Sequence, residues 1–138
     1  MKNLLLALLV SGAALAWAQV PPPGQGKDIR TQTPAELNQT AAELERQLLA
    51  QPGSVDLHLK LGFTYTRLGK ADDAQRAFEN AVRLDPRKAI AHYMLGLVYE
   101  KKGLKDKAIA AWKACLESAG EQHLRDTAIK HLNNLNAR

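Results

Sequence analysis

An internal repeat of 34 residues constrains the fold of this 138-residue chain more than any other sequence feature. Residues 55–88 and 89–122 align at that offset, and Phe78 of the first copy falls on Trp112 of the second. Eight positions are identical, namely His58/His92, Leu61/Leu95, Gly62/Gly96, Tyr65/Tyr99, Gly69/Gly103, Asp72/Asp106, Ala74/Ala108 and Ala77/Ala111. In each copy a glycine separates two helical patterns, so each copy is predicted to be a helical hairpin. Such a period indicates hairpins that stack into a solenoid, because one hairpin cannot bury its apolar face alone.

The repeated residues resemble the tetratricopeptide repeat, whose pattern is W-x2-L-G-x2-Y, then A-x3-F, then P. The matching motifs are Leu61-Gly62-x2-Tyr65, Ala74-x3-Phe78 and Pro86 in the first copy, and Leu95-Gly96-x2-Tyr99 and Ala108-x3-Trp112 in the second. Both copies have histidine in place of the tryptophan, and Gly120 replaces the closing proline of the second copy. This last replacement predicts that the array ends there. The resemblance implies an all-α, right-handed α-solenoid of helical hairpins.

Small residues in the two copies have specific predicted roles. Gly62 and Gly96 fall within the first helix of their copies, where glycine costs about 1 kcal/mol relative to alanine. We expect glycine there because the missing side chain lets the second helix approach closely. Gly69 and Gly103 are placed to end the first helix in a left-handed cap. Cys115 aligns with an alanine of the first copy, so it is predicted to be a buried thiol.

A helical pattern precedes the two copies. Thr33-Pro34-Ala35-Glu36 predicts a capping box at the start of a helix that runs to about Ala50. The apolar stripe of this helix is Leu37, Ala41, Leu44 and Leu48. A further shift of 34 residues places Pro52 on Pro86. Residues 33–54 are therefore interpreted as the second half of a degenerate preceding repeat.

One more amphipathic pattern, residues 123–138, follows the two copies. Its apolar stripe is Leu124, Ala128, Leu132 and Leu135. A stacked array needs a terminal unit with a polar outer face, so this helix is predicted to cap the array. The predicted tetratricopeptide domain thus spans residues 33–138.

The first 32 residues are predicted to lie outside this domain. Residues 1–18 have a positive start, an apolar run and a final Ala16-Trp17-Ala18, which is the pattern of a cleaved secretory signal peptide. Residues 19–32 contain three prolines and two glycines and are interpreted as a tether without regular structure. The sequence therefore predicts an exported protein, periplasmic or secreted, with no stable membrane insertion after cleavage.

No pattern in the sequence indicates catalysis, a cofactor or a metal. Nucleophile-elbow, phosphate-loop and zinc-protease motifs are absent, so we predict a protein that is not an enzyme. A single cysteine rules out an intramolecular disulfide and a Cys-based zinc site. His58 and His92 match across the repeats, but hairpins pack about 8–10 Å apart, too far to share a metal. Both histidines are interpreted as packing residues.

The formal charge of the chain, +5, is modest, and its signs are interspersed. Such a distribution gives little support for nucleic-acid binding, so no nucleic-acid partner is predicted. Four lysines lie in the turn at residues 101–107. We interpret this turn as a solvated face, with contact to an anionic partner as the functional alternative.

Surplus apolar surface is the feature that points to function. The first helix of each copy has a second apolar stripe beside the stripe that packs. In proteins that resemble this one, that helix lines a concave groove that binds peptides or partner helices. The predicted groove residues are Leu59, Phe63, Thr66, Arg67, Ile90, Tyr93, Leu97, Glu100 and Lys101. The resemblance thus implies a protein or peptide partner, and the predicted function is that of an adaptor in the bacterial envelope.

Two other interpretations of the second stripe stay open at the level of the sequence. In one, the tether or the curl of so short an array covers the stripe without any partner. In the other, the groove or an exposed end packs against another copy, which makes the protein a structural, homo-oligomeric unit.

Overall fold

A computed structural model describes residues 28–137 of the chain. Within that range the chain forms a short 3-10 helix and six α-helices and no β-strand. In order they are the 3-10 helix Ile29–Thr31, α1 Pro34–Ala50, α2 Val55–Arg67, α3 Ala71–Leu84, α4 Ala89–Lys101, α5 Lys105–Ser118 and α6 Gln122–Asn136. The predicted all-α helical-repeat solenoid is confirmed. The predicted signal peptide, residues 1–18, and the tether residues 19–27 lie outside the described residues.

Each helix packs on its neighbours in the chain. The most extensive contacts are between α2 and α3 and between α4 and α5, which are the two hairpins predicted from the repeat. The pairs α1–α2, α3–α4 and α5–α6 join these hairpins into one array. Contact of each repeat with its neighbouring repeats is the property that defines a solenoid. The last helix, α6, also contacts α4, the first helix of the second hairpin.

Helix boundaries follow local sequence signals. The Thr33 hydroxyl accepts a hydrogen bond from the Glu36 backbone N–H, and the Glu36 carboxylate accepts one from the Thr33 N–H at 2.6 Å. These two bonds confirm the predicted capping box at the start of α1. Gly69 and Gly103 follow α2 and α4 with φ of 72° and 71°, the left-handed conformation predicted for the caps.

Gly62 and Gly96 are points of close approach between paired helices. A Cβ atom on Gly62 would lie 2.5 Å from Cε1 of Phe78, and one on Gly96 would lie 2.5 Å from Cε2 of Trp112. Both rings are fully buried, so neither has space to move aside. The prediction that these glycines admit the second helix of each hairpin is confirmed.

The histidines in the tryptophan position bind the loops that precede their helices. Nε2 of His58 lies 3.0 Å from the carbonyl oxygen of Pro52, and Nε2 of His92 lies 2.8 Å from that of Pro86. A carbonyl oxygen only accepts, so Nε2 is the protonated nitrogen in both rings. Nδ1 of His58 is buried and has no hydrogen-bond partner among residues 28–137. The two histidines therefore act within the fold, each fixing the turn that enters its own repeat.

Contacts between a tyrosine and a glutamate also recur at the 34-residue period. The Tyr99 hydroxyl donates to Oε1 of Glu79 at 2.8 Å, and the Tyr65 hydroxyl donates to Oε1 of Glu45. Glu45 is on α1 and Glu79 on α3, so α1 makes the contact that the second helix of a repeat makes. The same correspondence holds for Pro52 and Pro86 in the histidine contacts.

Two apolar clusters form the core. The larger one includes residues of α2 to α6 and contains Phe78, Trp112 and Cys115, each with 0% exposure. The smaller one joins α1 to α2 and α3, and its buried members are Ala41, Leu44, Leu57, Leu61 and Ala77. Cys115 is a free, buried thiol as predicted, and burial raises the pKa of this thiol.

Residues 28–32 correct the interpretation of the tether as irregular. The Asp28 carboxylate accepts a hydrogen bond from the Arg30 backbone N–H at 2.9 Å and another from the Arg30 guanidinium at 2.6 Å. The Thr31 hydroxyl donates to the Asp28 carbonyl at 2.9 Å. These bonds close the 3-10 turn, which lies against α2. Composition did not predict the turn because one aspartate that bonds its own backbone is sufficient to form it.

The end helix α6 covers α5. Leu124 and Ala128 are buried against the larger core cluster, and the Arg125 guanidinium donates to the Leu116 carbonyl at 3.2 Å. The outer face of α6 is polar apart from Ile129, which is 44% exposed. No helix within residues 28–137 is long and apolar enough to cross a membrane.

Candidate functional site

The predicted groove residues do not all reach the surface. Phe63, Ile90, Tyr93 and Leu97 are half-buried and pack on the larger core cluster, whereas Thr66, Arg67 and Lys101 are exposed. Leu59 and Glu100 are engaged inside the fold, as described below. We call the surface formed by the other seven residues the inner face.

Leu59 is a correction to the predicted groove. Its side chain is 6% exposed and belongs to the larger core cluster, together with residues of α3 and α4. The second hairpin stacks on the first, so the side chain at this position of the first repeat is covered. Its counterpart in the second repeat is Tyr93, which stays half-exposed. Repeat symmetry alone placed both residues in the groove.

Glu100 is a second correction. One carboxylate oxygen, Oε1, accepts hydrogen bonds from Nε1 of Trp112 at 2.6 Å and from Nδ1 of His131 at 2.7 Å. The His131 ring stacks on Trp112 with centroids 4.3 Å apart and planes 18° apart. Glu100 therefore holds α6 against the second hairpin and does not line a free groove. Sequence reasoning missed His131, although a buried indole N–H that needs a partner was an available signal.

The half-buried aromatic rings of the inner face each meet a fully buried ring edge-on. Phe63 and Phe78 have centroids 5.5 Å apart at an angle of 74°, and Tyr93 and Trp112 have centroids 5.4 Å apart at 89°. Such edge-to-face pairs contribute about 0.5–1.5 kcal/mol beyond area burial. The outer side of Phe63 and Tyr93 thus presents apolar surface on a rigid support.

Two cavities touch the inner face. One, of about 480 Å³, is lined by Phe63, Thr66 and Arg67 and by residues 28–30 of the 3-10 turn. Thr66 also lines a small cavity of about 30 Å³, which it shares with Lys101. A third cavity of about 210 Å³ lies between Glu100, Lys105 and Leu135. The first two cavities therefore lie on inner-face residues of both repeats, and the third lies beside the end helix.

Positive charge borders the inner face at the same register in both repeats. Arg67 and Lys101 are 34 positions apart, and both are exposed. The Arg67 guanidinium donates to the Arg30 carbonyl at 3.2 Å. Asp28, in the same turn, has its pKa lowered to about 2, chiefly by the hydrogen bonds from Arg30. The turn thus covers part of the inner face at the first repeat, as one of the open interpretations required.

Part of the lysine-rich turn is engaged within the fold. Lys102 Nζ donates to the Asp72 carboxylate and to the Gln75 amide oxygen, each at 2.6 Å. The Lys102 hydrogen bond lowers the pKa of Asp72. Lys107 lies 5.7 Å from the centre of the Tyr99 ring. Two of the four lysines are therefore engaged within the fold: Lys102 joins the two repeats, and Lys107 contacts the other helix of its own hairpin.

Comparison with known proteins agrees with the geometry. Residues 59–122 match the family model described as tetratricopeptide repeat. Residues 59–122 of this chain are tetratricopeptide repeats. The crystal structure of MamA is similar to it with a TM-score of 0.59 and 24% identity, and the alignment covers 73% of this chain and 67% of MamA. At that identity the likeness shows the fold alone. No curated protein sequence matches the chain.

Tetratricopeptide repeats bear on function through the surface that a stacked array of them creates. Stacked repeats form extended surfaces that bind other proteins, and their function is that of an interaction scaffold. In this chain the candidate for such a surface is the inner face.

Proposed function

We propose that this protein is a non-enzymatic adaptor of the bacterial envelope, which binds an extended peptide or a helix of a partner along the inner face. The observation that supports this function is the half-exposed apolar strip of Phe63, Tyr93 and Leu97 with a cation at its border in each repeat. Apolar side chains of a partner would cover the strip, and acidic groups would meet Arg67 and Lys101. Contiguous apolar surface on a folded protein commonly marks an interaction site.

Localisation in the envelope is part of this proposal and rests on residues 1–18. Export with cleavage after Ala18 would leave Gln19 as the first residue. The intact mass of the exported protein measures this directly. A mass that includes residues 1–18 would contradict the cleavage, and a protein found only in the cytoplasm would contradict the envelope role.

The binding proposal is tested with Tyr93→Ala in the full chain. We expect this variant to capture much less of the specific partner from envelope extract, with a binding loss of about 2 kcal/mol, or roughly thirtyfold in affinity. Leu49→Ala is the matched control, because Leu49 is an apolar residue 85% exposed on α1, a helix that contributes none of the seven inner-face residues. The control should bind as the parent does.

Thermal unfolding of the same variants separates binding from folding. Tyr93 packs edge-on against Trp112, so its truncation should cost about 1–2 kcal/mol of stability and leave the fold intact. Unchanged affinity of Tyr93→Ala for the partner would contradict binding at the inner face.

Self-association is the second candidate function, and one observation favours it. Leu49 on α1 and Ile129 on α6 are exposed apolar residues on the two end helices of the described array. Contact between unlike ends would join copies head to tail. Light scattering on the purified protein distinguishes the two functions. A monomer supports the adaptor, whereas an oligomer that Leu49→Ser and Ile129→Ser dissociate supports self-association.

A further inference from the structure

The 3-10 turn at residues 28–31 is held in place on the inner face from two sides. Its own bonds, from Arg30 and Thr31 to Asp28, define its shape. Just after it, the Gln32 side-chain oxygen accepts a hydrogen bond from the Thr40 hydroxyl of α1 at 2.9 Å. The turn thus approaches α2 as a preformed unit.

The contact between this turn and the first repeat is built like a ligand contact. Ile29 is half-buried and lines the 480 Å³ cavity together with Phe63. Arg67 donates to the carbonyl oxygen of Arg30. An aliphatic side chain near an aromatic ring and a carbonyl on a guanidinium are the two contacts by which a bound peptide would be recognised here.

The charge of Arg67 is only partly used by this contact. A carbonyl oxygen at 3.2 Å is a neutral acceptor, whereas an arginine–carboxylate pair is charge-assisted, shorter and often bidentate. The turn does contain a carboxylate, Asp28, but that group accepts three hydrogen bonds from the Arg30 side chain. A partner that brings its own carboxylate therefore offers Arg67 a stronger acceptor than the turn does.

We propose that residues 28–31 occupy the first-repeat end of the inner face as an intramolecular stand-in for the partner, which is a segment with a carboxylate beside a branched aliphatic side chain. This inference rests on the proposed function and adds the chemistry of the partner and its regulation. The partner's carboxylate takes Arg67, and its aliphatic side chain takes the place of Ile29 near Phe63. Release of the turn is a free-energy cost that the partner's binding must exceed, so the turn sets a threshold for affinity.

The second repeat provides an internal comparison. Lys101 occupies the position of Arg67 but makes no hydrogen bond or ion pair with any residue in 28–137. Its charge is therefore available without displacement of any described segment. Displacement of residues 28–31 by a partner is consequently required at the first repeat and not at the second.

Peptide binding to the full chain tests the stand-in. The probe is a fluorescent peptide of sequence Ala-Asp-Ile-Glu-Ile-Ala, and its matched control carries Asn and Gln in place of Asp and Glu. We expect the double variant Asp28→Ala/Ile29→Gly to bind the acidic probe about tenfold more tightly than the parent, because a tethered competitor has an effective concentration near the millimolar range. The amide probe should bind at least about tenfold more weakly than the acidic probe.

Two further substitutions, each added to the double variant, locate the site. Arg67→Gln should abolish the preference for the acidic probe, while Lys101→Gln should reduce the affinity for the acidic probe by less than Arg67→Gln does. Equal binding of the acidic probe by parent and double variant, absence of binding by both, or a larger effect of Lys101→Gln than of Arg67→Gln would each overturn the proposal.

Methyl NMR observes the stand-in directly and without a partner. The chain has four isoleucines, so a sample labelled at isoleucine δ1 methyls gives a sparse spectrum. Relative to the spectrum of the free parent, the Ile29 signal should shift in the Arg67→Gln variant and also in the parent saturated with the acidic probe. The signals of Ile109 and Ile129 should stay in place in both. An Ile29 signal that does not respond to Arg67→Gln would contradict the contact.

Failure of the stand-in proposal can be distinguished from failure of the proposed function. If Tyr93→Ala abolishes partner binding while the Asp28→Ala/Ile29→Gly variant behaves as the parent, only the stand-in is wrong. If Tyr93→Ala has no effect on partner binding, the inner face itself is wrong as the site.

Discussion

At the scale of single residues, two glycines set the distance between the helices of each hairpin. Gly62 faces the Phe78 ring, and Gly96 faces the Trp112 ring, in each case too closely for a Cβ atom. Alanine has the higher helix propensity by about 1 kcal/mol. The effect of a glycine-to-alanine change on stability therefore depends on whether the cost of overpacking exceeds the gain in helix propensity.

We expect Gly62→Ala and Gly96→Ala each to lower the free energy of unfolding by about 1–3 kcal/mol, because overpacking against a buried ring exceeds the gain in propensity. Urea unfolding measures the loss. Gly53→Ala and Gly120→Ala are matched controls, since a Cβ at either position meets no atom within 4 Å. The controls should stay within about 0.5 kcal/mol of the parent. Stabilisation by Gly62→Ala would contradict the close-approach role.

At the scale of elements, hydrogen bonds between tyrosine and glutamate join consecutive repeats. Burial, and then the hydrogen bond to Glu45, raise the pKa of Tyr65 to about 12. Burial and the hydrogen bond to Glu79 raise the pKa of Tyr99 in the same way. In both cases the neutral phenol is the form that the folded state favours.

These shifts predict how stability changes at alkaline pH. A raised folded-state pKa contributes stability that is fully present below the unfolded pKa of about 10 and is lost as the pH rises through the folded pKa. The free energy of unfolding should therefore fall between pH 10 and about 12. Tyr99→Phe should cost about 1 kcal/mol at pH 8 by removing the hydrogen bond, and should reduce the alkaline slope.

Urea unfolding at pH 8, 10 and 11 checks this prediction. Tyr93→Phe is the control, because the Tyr93 hydroxyl has no carboxylate partner within residues 28–137, and it should keep the slope of the parent. An identical slope for Tyr99→Phe and the parent would show that the raised pKa of Tyr99 does not contribute to the loss of stability at alkaline pH.

The end helix α6 depends on His131. This side chain stacks on Trp112 and donates to Glu100, and it is 24% exposed. His131→Ala should lower the free energy of unfolding by about 2 kcal/mol, since a hydrogen bond to a charged group and a ring contact are both lost. His123→Ala, on the same helix with 72% of its side chain exposed, should change stability by less than about 0.5 kcal/mol. Equal losses in thermal or urea unfolding would show that α6 is held by its apolar stripe alone.

At the scale of the whole molecule, the array is unequally stabilised along its length. Helices α4 and α5 lie within the larger core cluster and have neighbours on both sides, whereas α1 packs on α2 and belongs to the smaller cluster. In a solenoid, stability is approximately a sum of the units and their nearest-neighbour interfaces.

Native-state hydrogen exchange should therefore resolve a gradient. We expect the amides of α1 to open with a free energy at least about 1 kcal/mol below that of α4 and α5. Leu44→Ala, in the smaller cluster, should lower the opening free energy of α1 more than that of α5. One common opening free energy for all helices would contradict this gradient and indicate a single cooperative unit.

The sequence by itself determined the local elements of this protein and their order. The repeat, the glycines at positions 62, 69, 96 and 103 and the Thr33–Glu36 capping box depend on contacts within a helix or a hairpin, whose geometry is fixed by residue spacing. For this reason the helices, the hairpins and the burial of Cys115 followed from a single chain without its coordinates.

Tertiary structure alone decided which groove residues are accessible. Leu59 is buried because a second hairpin covers it, Glu100 is engaged because α6 brings His131 to it across 31 positions, and Arg67 meets the Arg30 carbonyl across 37 positions. Each of these contacts joins segments whose relative placement depends on how the hairpins stack. Residue spacing within a repeat carries no information about that placement, because the repeat defines one unit and the contacts arise between units and at the ends of the array.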